Sequence, residues 1–119
     1  MTPGRIVLID WRDALPNSVE PSKIRPAIVV GSPEVFGPES LTRIVVPLTG
    51  SALLAVPGAS LEIAPTAQNF CAKTSYALAW NVQSVPCSRL REANGRITPD
   101  QLAAVRALVA RCVDAPPAG

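Results

Sequence analysis

Apolar and polar positions along this chain fall mostly into short alternating or β-branched runs separated by proline, glycine and asparagine. Arg5–Trp11 (RIVLIDW) follows a glycine and is rich in β-branched residues, so it predicts a strand. Arg25–Gly31 (RPAIVVG) predicts a second strand, with Pro26 placed at its start or on an edge because proline lacks a donor N–H. Thr42–Leu48 (TRIVVPL) predicts a third. Ser60–Ala64 and Ala72–Ala79 read as two more, and Asn81–Val85 as a last short strand ended by Pro86. Between them, Arg12–Ile24 carries Pro16, Asn17, Ser18, Pro21 and Ser22 and reads as a loop. At about 13 residues it is long for a compact domain, a length that often accompanies function. Pro33–Ser40 reads as a second loop and Thr49–Gly58 as a hairpin-like or irregular segment.

The period changes near the C-terminus. Leu102, Val105, Leu108, Val109 and Cys112 recur at helical spacing from Pro99 to Val113 and form a face expected to pack on the core. Thr98 suits the N-cap, Pro99 the first helical position, and Gln101 completes a capping box with Thr98. Several strands followed by one amphipathic helix predict a mostly β fold: a small curved sheet or barrel with the helix over one opening or face. Residues 1–113 are expected to form a single domain, with 114–119 as a flexible tail.

Composition narrows the chemistry. With 119 residues the chain fits one domain, and 48% hydrophobic residues supply a core for it. The formal net charge of +2 argues against a DNA-coating protein or a long basic arm, though a few local cations can serve a short single-stranded site. There is no histidine, which removes the usual acid–base side chain and the commonest metal ligand. Cys71, Cys87 and Cys112 are odd in number and far apart, so they read as reduced, partly buried thiols; neither a metal site nor a cofactor is expected. Asp10, Arg12 and Asp13 interrupt any signal-peptide core, and no stretch is long and apolar enough to span a bilayer; a cytoplasmic location without membrane contact is expected.

Four motifs stand in order along the chain: Gly4-Arg5-Ile6-Val7 running into Asp10-Trp11; Glu20 through Arg25-Pro26 into Ala27–Val30; Val45-Val46-Pro47-Leu48-Thr49; and Ala77–Val85 followed by Arg89-Leu90, Gly95 and the helix. In this order they resemble the MazF/PemK toxin family. Each is weak alone, but they span nearly the whole chain at family spacing. The resemblance implies an SH3-like barrel with a C-terminal helix and a homodimer with an RNA groove near its interface. It also implies a MazE-like antitoxin as the inhibiting partner. The implied activity is that of a metal-independent endoribonuclease on single-stranded RNA. In that reaction the 2′-hydroxyl attacks the adjacent phosphorus, leaving a 2′,3′-cyclic phosphate and a 5′-hydroxyl. Fixed cationic donors can stabilise the extra negative charge without a metal.

Residue by residue, Arg25 matches the family's catalytic arginine; its planar guanidinium can hold two phosphate oxygens. The alternative is a surface arginine at a strand start. Thr49 matches the family's threonine or serine, and its hydroxyl could donate to a phosphate oxygen; otherwise it is an ordinary strand-end threonine. Arginine is a poor base, which makes Glu20 the more plausible proton acceptor, against the reading of a solvated loop glutamate. Trp11 could stack an unpaired base or simply fill the core. Arg12, Ser18 and Lys23 in the loop are candidates for RNA contact, with the two cations suited to phosphates. Asn81 and Gln83 could read base edges or be plain surface polarity.

Three departures stand out. Arg5 replaces an acidic residue usual after the family's first glycine. The loop before Glu20 is about two residues longer by motif spacing, so cut-site preference should differ. Trp80 occupies a position where one family assignment places a catalytic carboxylate. Two other classes compete: a CcdB-like gyrase-binding toxin, whose terminal Trp-Gly-Ile this chain lacks, and a barrel that only binds a partner.

Overall fold

The computed structural model describes residues 1–11 and 24–114. Seven strands and one helix are present among them: β1 (Arg5–Asp10), β2 (Ile24–Val29), β3 (Thr42–Thr49), β4 (Ser60–Ile63), β5 (Ser75–Leu78), β6 (Gln83–Pro86), β7 (Leu90–Arg96) and α1 (Pro99–Cys112). The strands form one antiparallel sheet in the order β4-β5-β3-β2-β1-β7, with β6 also paired to β3. The sheet curls like a barrel without closing, and the architecture is the mostly β, SH3-like barrel with C-terminal helix expected from sequence.

β3 organises the curvature. One edge pairs with β2 through Ala27↔Pro47, Ile28↔Val46 and Val29↔Val45. The other edge is shared: Thr42–Val45 pair with β6, whereas Leu48 and Thr49 pair with β5. Val46 and Pro47 have no register partner on that second edge. Such an interruption is where a residue without an N–H is accommodated inside a sheet.

Two apolar clusters lie on opposite faces of the sheet. Ile6, Ile28, Val46, Ile63 and Ala77 meet the helix residue Val105 in the first. Val7, Ile9, Ala27, Val29, Val45, Val85 and Leu90 form the second. Alternation of side chains along each strand sorts neighbouring residues, such as Ile6 and Val7, into different clusters. α1 begins as its sequence dictates: Thr98 Oγ1 accepts from the Gln101 N–H at 3.0 Å, and Gln101 Oε1 accepts from the Thr98 N–H at 2.9 Å. Val105 is fully buried, a burial that stabilises by about 1.5–3 kcal/mol. Leu102 and Val109 pack at the cluster's margin. Arg106 Nε donates to the Val30 carbonyl at 2.9 Å, tying the helix to the end of β2.

Several expectations need correction. The strand placed at 81–85 is not the last. Residues 79–81 form a 3-10 turn, β6 includes Pro86, and β7 follows it. The sequence of β7, LREANGR, has neither alternation nor β-branched residues; the free edge of β1 makes it a strand, with a register shift between Arg5 and Val7. The strand expected over 72–79 is confined to 75–78, and the irregular segment contains a 3-10 turn at Ala52–Leu54. Cys112, assigned to the packed face and counted among the partly buried thiols, is exposed, because α1 runs past the edge of the core there. Cys71 and Cys87 are half-buried. Apart from Ile24, which opens β2, the predicted loop with Arg12, Ser18, Glu20 and Lys23 lies outside the described residues, as does the tail from 115 onwards.

Candidate functional site

The second cluster continues into a groove. In an antiparallel ladder, directly opposed residues and residues two apart along a strand share a face. Ile9 opposes Arg25, Ala27 opposes both Val7 and Pro47, and Val45 opposes both Val29 and Gln83. One face therefore carries Val7 and Ile9 of β1 with Trp11 beyond them, Arg25, Ala27 and Val29 of β2, and Val45, Pro47 and Thr49 of β3. Gln83 and Val85 of β6 lie on the same face. Its middle is apolar and buried. At the end where β1 and β3 finish and β2 and β6 begin, the same face turns polar and opens. The resulting groove has a volume of about 290 Å³, and its lining includes Trp11, Arg25, Thr49, Leu54, Asn81 and Gln83. Five of the nine site residues named from sequence thus share one groove; Arg12, Ser18, Glu20 and Lys23 lie outside the described residues.

Each wall has a local cause. Arg25 is exposed at the start of β2, so its aliphatic stem can lie along the apolar face while the guanidinium reaches water. Thr49 is half-buried, and its Oγ1 accepts the Ser51 N–H at 3.1 Å. This local turn occupies one lone pair and leaves the hydroxyl proton available to a ligand. Trp11 is half-buried against the second cluster and also lines the groove, so its packing does not remove it from the groove wall. The Arg89 guanidinium lies 5.0 Å from the Trp11 ring centroid, and its Nη1 donates to the Asp10 carbonyl at 3.2 Å. Asp10 in turn pairs with Arg91 at 3.2 Å. Gln83 Nε2 donates to the backbone carbonyl of Asn81 at 3.3 Å, which fixes the Gln83 amide against the turn at 79–81.

Trp80 has its own role. Its indole N–H donates to the Leu54 carbonyl at 3.1 Å, joining the turns at 52–54 and 79–81. Leu54, 47% exposed, is thereby held as an apolar wall of the groove. Neither Leu54 nor Arg89 was a candidate from sequence. Arg89 precedes β7, whose register against β1 (Ile9↔Leu90) brings it beside Trp11. Reading β7 as a strand is the signal that would have found it.

Chemically, the described lining presents a guanidinium, a hydroxyl, two carboxamides and an indole, and no carboxylate. That set donates hydrogen bonds to anionic oxygens and offers one flat apolar surface for a base. Among the described residues no three His, Cys, Asp or Glu side chains are grouped to hold a metal ion, and no helix is long and apolar enough to cross a membrane.

Residues 2–113 match the family described as PemK-like, MazF-like toxin of type II toxin-antitoxin system. The chain belongs to this family. No curated protein sequence matches it, so the membership rests on the family match across nearly the whole chain. Among solved structures, the toxin MazF-mt6 of Mycobacterium tuberculosis is similar, with a TM-score of 0.72 at 19% identity over 95% of this chain and 99% of that one. An endoribonuclease in complex with its cognate antitoxin, from a mycobacterial species, gives a TM-score of 0.74 at 15% identity over 99% of each chain. The MazE-MazF complex of Deinococcus radiodurans gives 0.68 at 19% identity over 98% of this chain and 97% of that one. At these identities the likeness is one of fold. The MazF/PemK family fold thus holds together at low identity, and in this member its groove end carries the Arg25 and Thr49 pair.

Proposed function

We propose that this family member is an endoribonuclease toxin that cleaves single-stranded RNA through the substrate's own 2′-hydroxyl, without a metal. The observation that carries the reading is the meeting of Arg25 and Thr49 in one groove with Trp11, Asn81 and Gln83. A phosphate seated there takes charge-assisted hydrogen bonds from the guanidinium and a further one from the Thr49 hydroxyl. Both strengthen as negative charge builds on the phosphoryl oxygens. A base beside that phosphate stacks on Trp11, and the Asn81 and Gln83 amides read its edge. Glu20, from the loop before β2, accepts the 2′-hydroxyl proton. Arg12, Ser18 and Lys23 of the same loop hold flanking nucleotides. As the 2′-oxygen bonds to phosphorus the P–O5′ bond breaks and the 5′-oxygen takes a proton from water, so the products are a 2′,3′-cyclic phosphate and a 5′-hydroxyl.

In this account the toxin acts in the cytoplasm as a homodimer and is neutralised by a cognate MazE-like antitoxin. Support comes from the family membership and from the fold shared with proteins solved as toxin–antitoxin complexes. The test is incubation of purified protein with a mixed RNA pool in EDTA, followed by mapping of cut sites and end groups. Cyclic phosphate ends produced by wild type and lost in Arg25→Ala are the expected result. No cleavage, or ends bearing a 3′-hydroxyl, rejects the reading. One observation favours a second reading, a barrel that only binds: Trp80 stands where one family assignment needs a carboxylate, and its N–H is committed to Leu54. An inert wild-type protein that still binds RNA supports that alternative.

A further inference from the structure

We propose that a second cavity, at the opposite end of β1 from the groove, is a binding site for a phosphate monoester such as a mononucleotide. The cavity has a volume of about 470 Å³, and Arg5, Arg96, Gln68, Pro3, Ile97 and Leu102 line it. Arg5 and Arg96 are directly opposite one another in the β1–β7 ladder, a placement that is unfavourable for like charges unless something answers them. Among the described residues neither arginine has a salt bridge or a side-chain hydrogen bond. The Arg5 Nε is shielded from solvent and has no hydrogen-bond partner, an uncommon state for a cationic donor.

The nearby acids do not resolve this. Glu92 lies 3.6 Å from the N-terminal amine, and Asp100 of the first helical turn is not part of the lining. The N-terminus of α1 adds little: Pro99 has no N–H, those of Gln101 and Leu102 are used by Thr98, and only that of Asp100 is left. An anion bound by Arg5 and Arg96 would answer both charges.

Charge selects the class of ligand. Two guanidinium groups lining one cavity match a dianion. A phosphate monoester carries about −1.5 to −2 charges at neutral pH, whereas an RNA phosphodiester or a carboxylate carries one. The apolar lining of Pro3, Ile97 and Leu102 suits the body attached to the phosphate, and Gln68 adds an amide. Ile9 of the groove lies four positions beyond Arg5, about 13 Å along an extended strand, so one ligand phosphate cannot serve both places. The proposal does not depend on RNA cleavage.

The test is calorimetric titration of the full chain with adenosine 5′-monophosphate, beside inorganic phosphate, dimethyl phosphate and adenosine. Binding of the monophosphate is expected to fall at least tenfold in Arg5→Gln and in Arg96→Gln and to be unchanged in Arg25→Ala. Inorganic phosphate should bind more weakly than the nucleotide, and dimethyl phosphate and adenosine more weakly still. Unliganded Arg96→Gln should melt no lower than wild type, since it relieves repulsion. The proposal is overturned if the monophosphate does not bind, or if its binding is lost in Arg25→Ala, which puts it in the groove. It is overturned equally if dimethyl phosphate binds as tightly as the monophosphate, the mark of an RNA-backbone site, or if Arg96→Gln lowers the melting temperature without ligand.

Discussion

Replacing Arg89 by alanine probes how the groove holds its aromatic wall. Among the described residues the Arg89 guanidinium lies over the Trp11 indole at 5.0 Å, and its Nη1 donates at 3.2 Å to the carbonyl of Asp10, the residue before that indole. A cation–π contact at such a partly exposed site contributes about 0.5–1 kcal/mol. A hydrogen bond from a charged donor contributes about 1.5 kcal/mol, reduced here by solvent screening. Arg89→Ala should therefore cost about 1–2 kcal/mol, seen as a fall in Tm of roughly 4–8 °C for a domain of this size. Functionally, a stacked base is worth about 1–3 kcal/mol, and loosening Trp11 should forfeit about 1 kcal/mol of that, a loss near fivefold in Kd. The assay is fluorescence anisotropy with an all-2′-O-methyl oligonucleotide pool, which cannot cleave itself. Arg89→Lys should recover part of the affinity, because the charge remains while the planar fork is lost. In a Trp11→Ala background, Arg89→Ala should have little further effect on RNA affinity. An equal loss with and without the indole would refute the positioning role and leave Arg89 as a direct phosphate contact.

Three other substitutions test separate parts of the structure. Gly95→Ala would place a Cβ within 2.2 Å of the Asn69 carbonyl oxygen, a backbone atom. The expected loss is about 2 kcal/mol or more by chemical denaturation, and a neutral result would mean that β7 and the 66–71 loop do not pack this closely. Val105→Ala empties a fully buried site between helix and sheet and should cost about 2 kcal/mol; an unchanged denaturation midpoint would show that the helix does not dock as described. Trp80→Phe keeps the ring but drops the bond to the Leu54 carbonyl. Cleavage mapping should show altered cut-site preference with a rate within about threefold of wild type, since the lost neutral hydrogen bond is worth about 1 kcal/mol. A cleavage pattern identical to wild type would remove Leu54 from the specificity wall.

What could be read from sequence was what is decided locally. The capping box at Thr98 and Gln101 formed because its hydrogen bonds span three residues. β1, β2 and β3 were legible because their runs are β-branched and bounded by turn residues. β7 was not, since Glu92, Asn94 and Gly95 give it no strand signature; it exists because β1 has an edge to fill and because Gly95 admits the Asn69 carbonyl. The site follows the same division. Arg25 and Thr49 sit at the ends of legible strands, and antiparallel register carries them to one end of the sheet. Arg89 and Leu54 depend on contacts between distant segments, which no local pattern encodes. The cavity between Arg5 and Arg96 is likewise a product of register, although the unusual arginine at position 5 was visible from the start.

The central claim is that Arg25 and Thr49 act on the same phosphate. Single-turnover cleavage in EDTA by Arg25→Ala, Thr49→Val and the double variant measures this directly. Removing Arg25 should slow cleavage by about 10²–10³, the usual effect of losing one donor to a developing oxyanion. Thr49→Val should slow it by at least tenfold. The double variant should be little slower than Arg25→Ala alone, as for groups that work as a unit. Losses below threefold for both single variants, or losses that multiply fully in the double variant, would contradict the account.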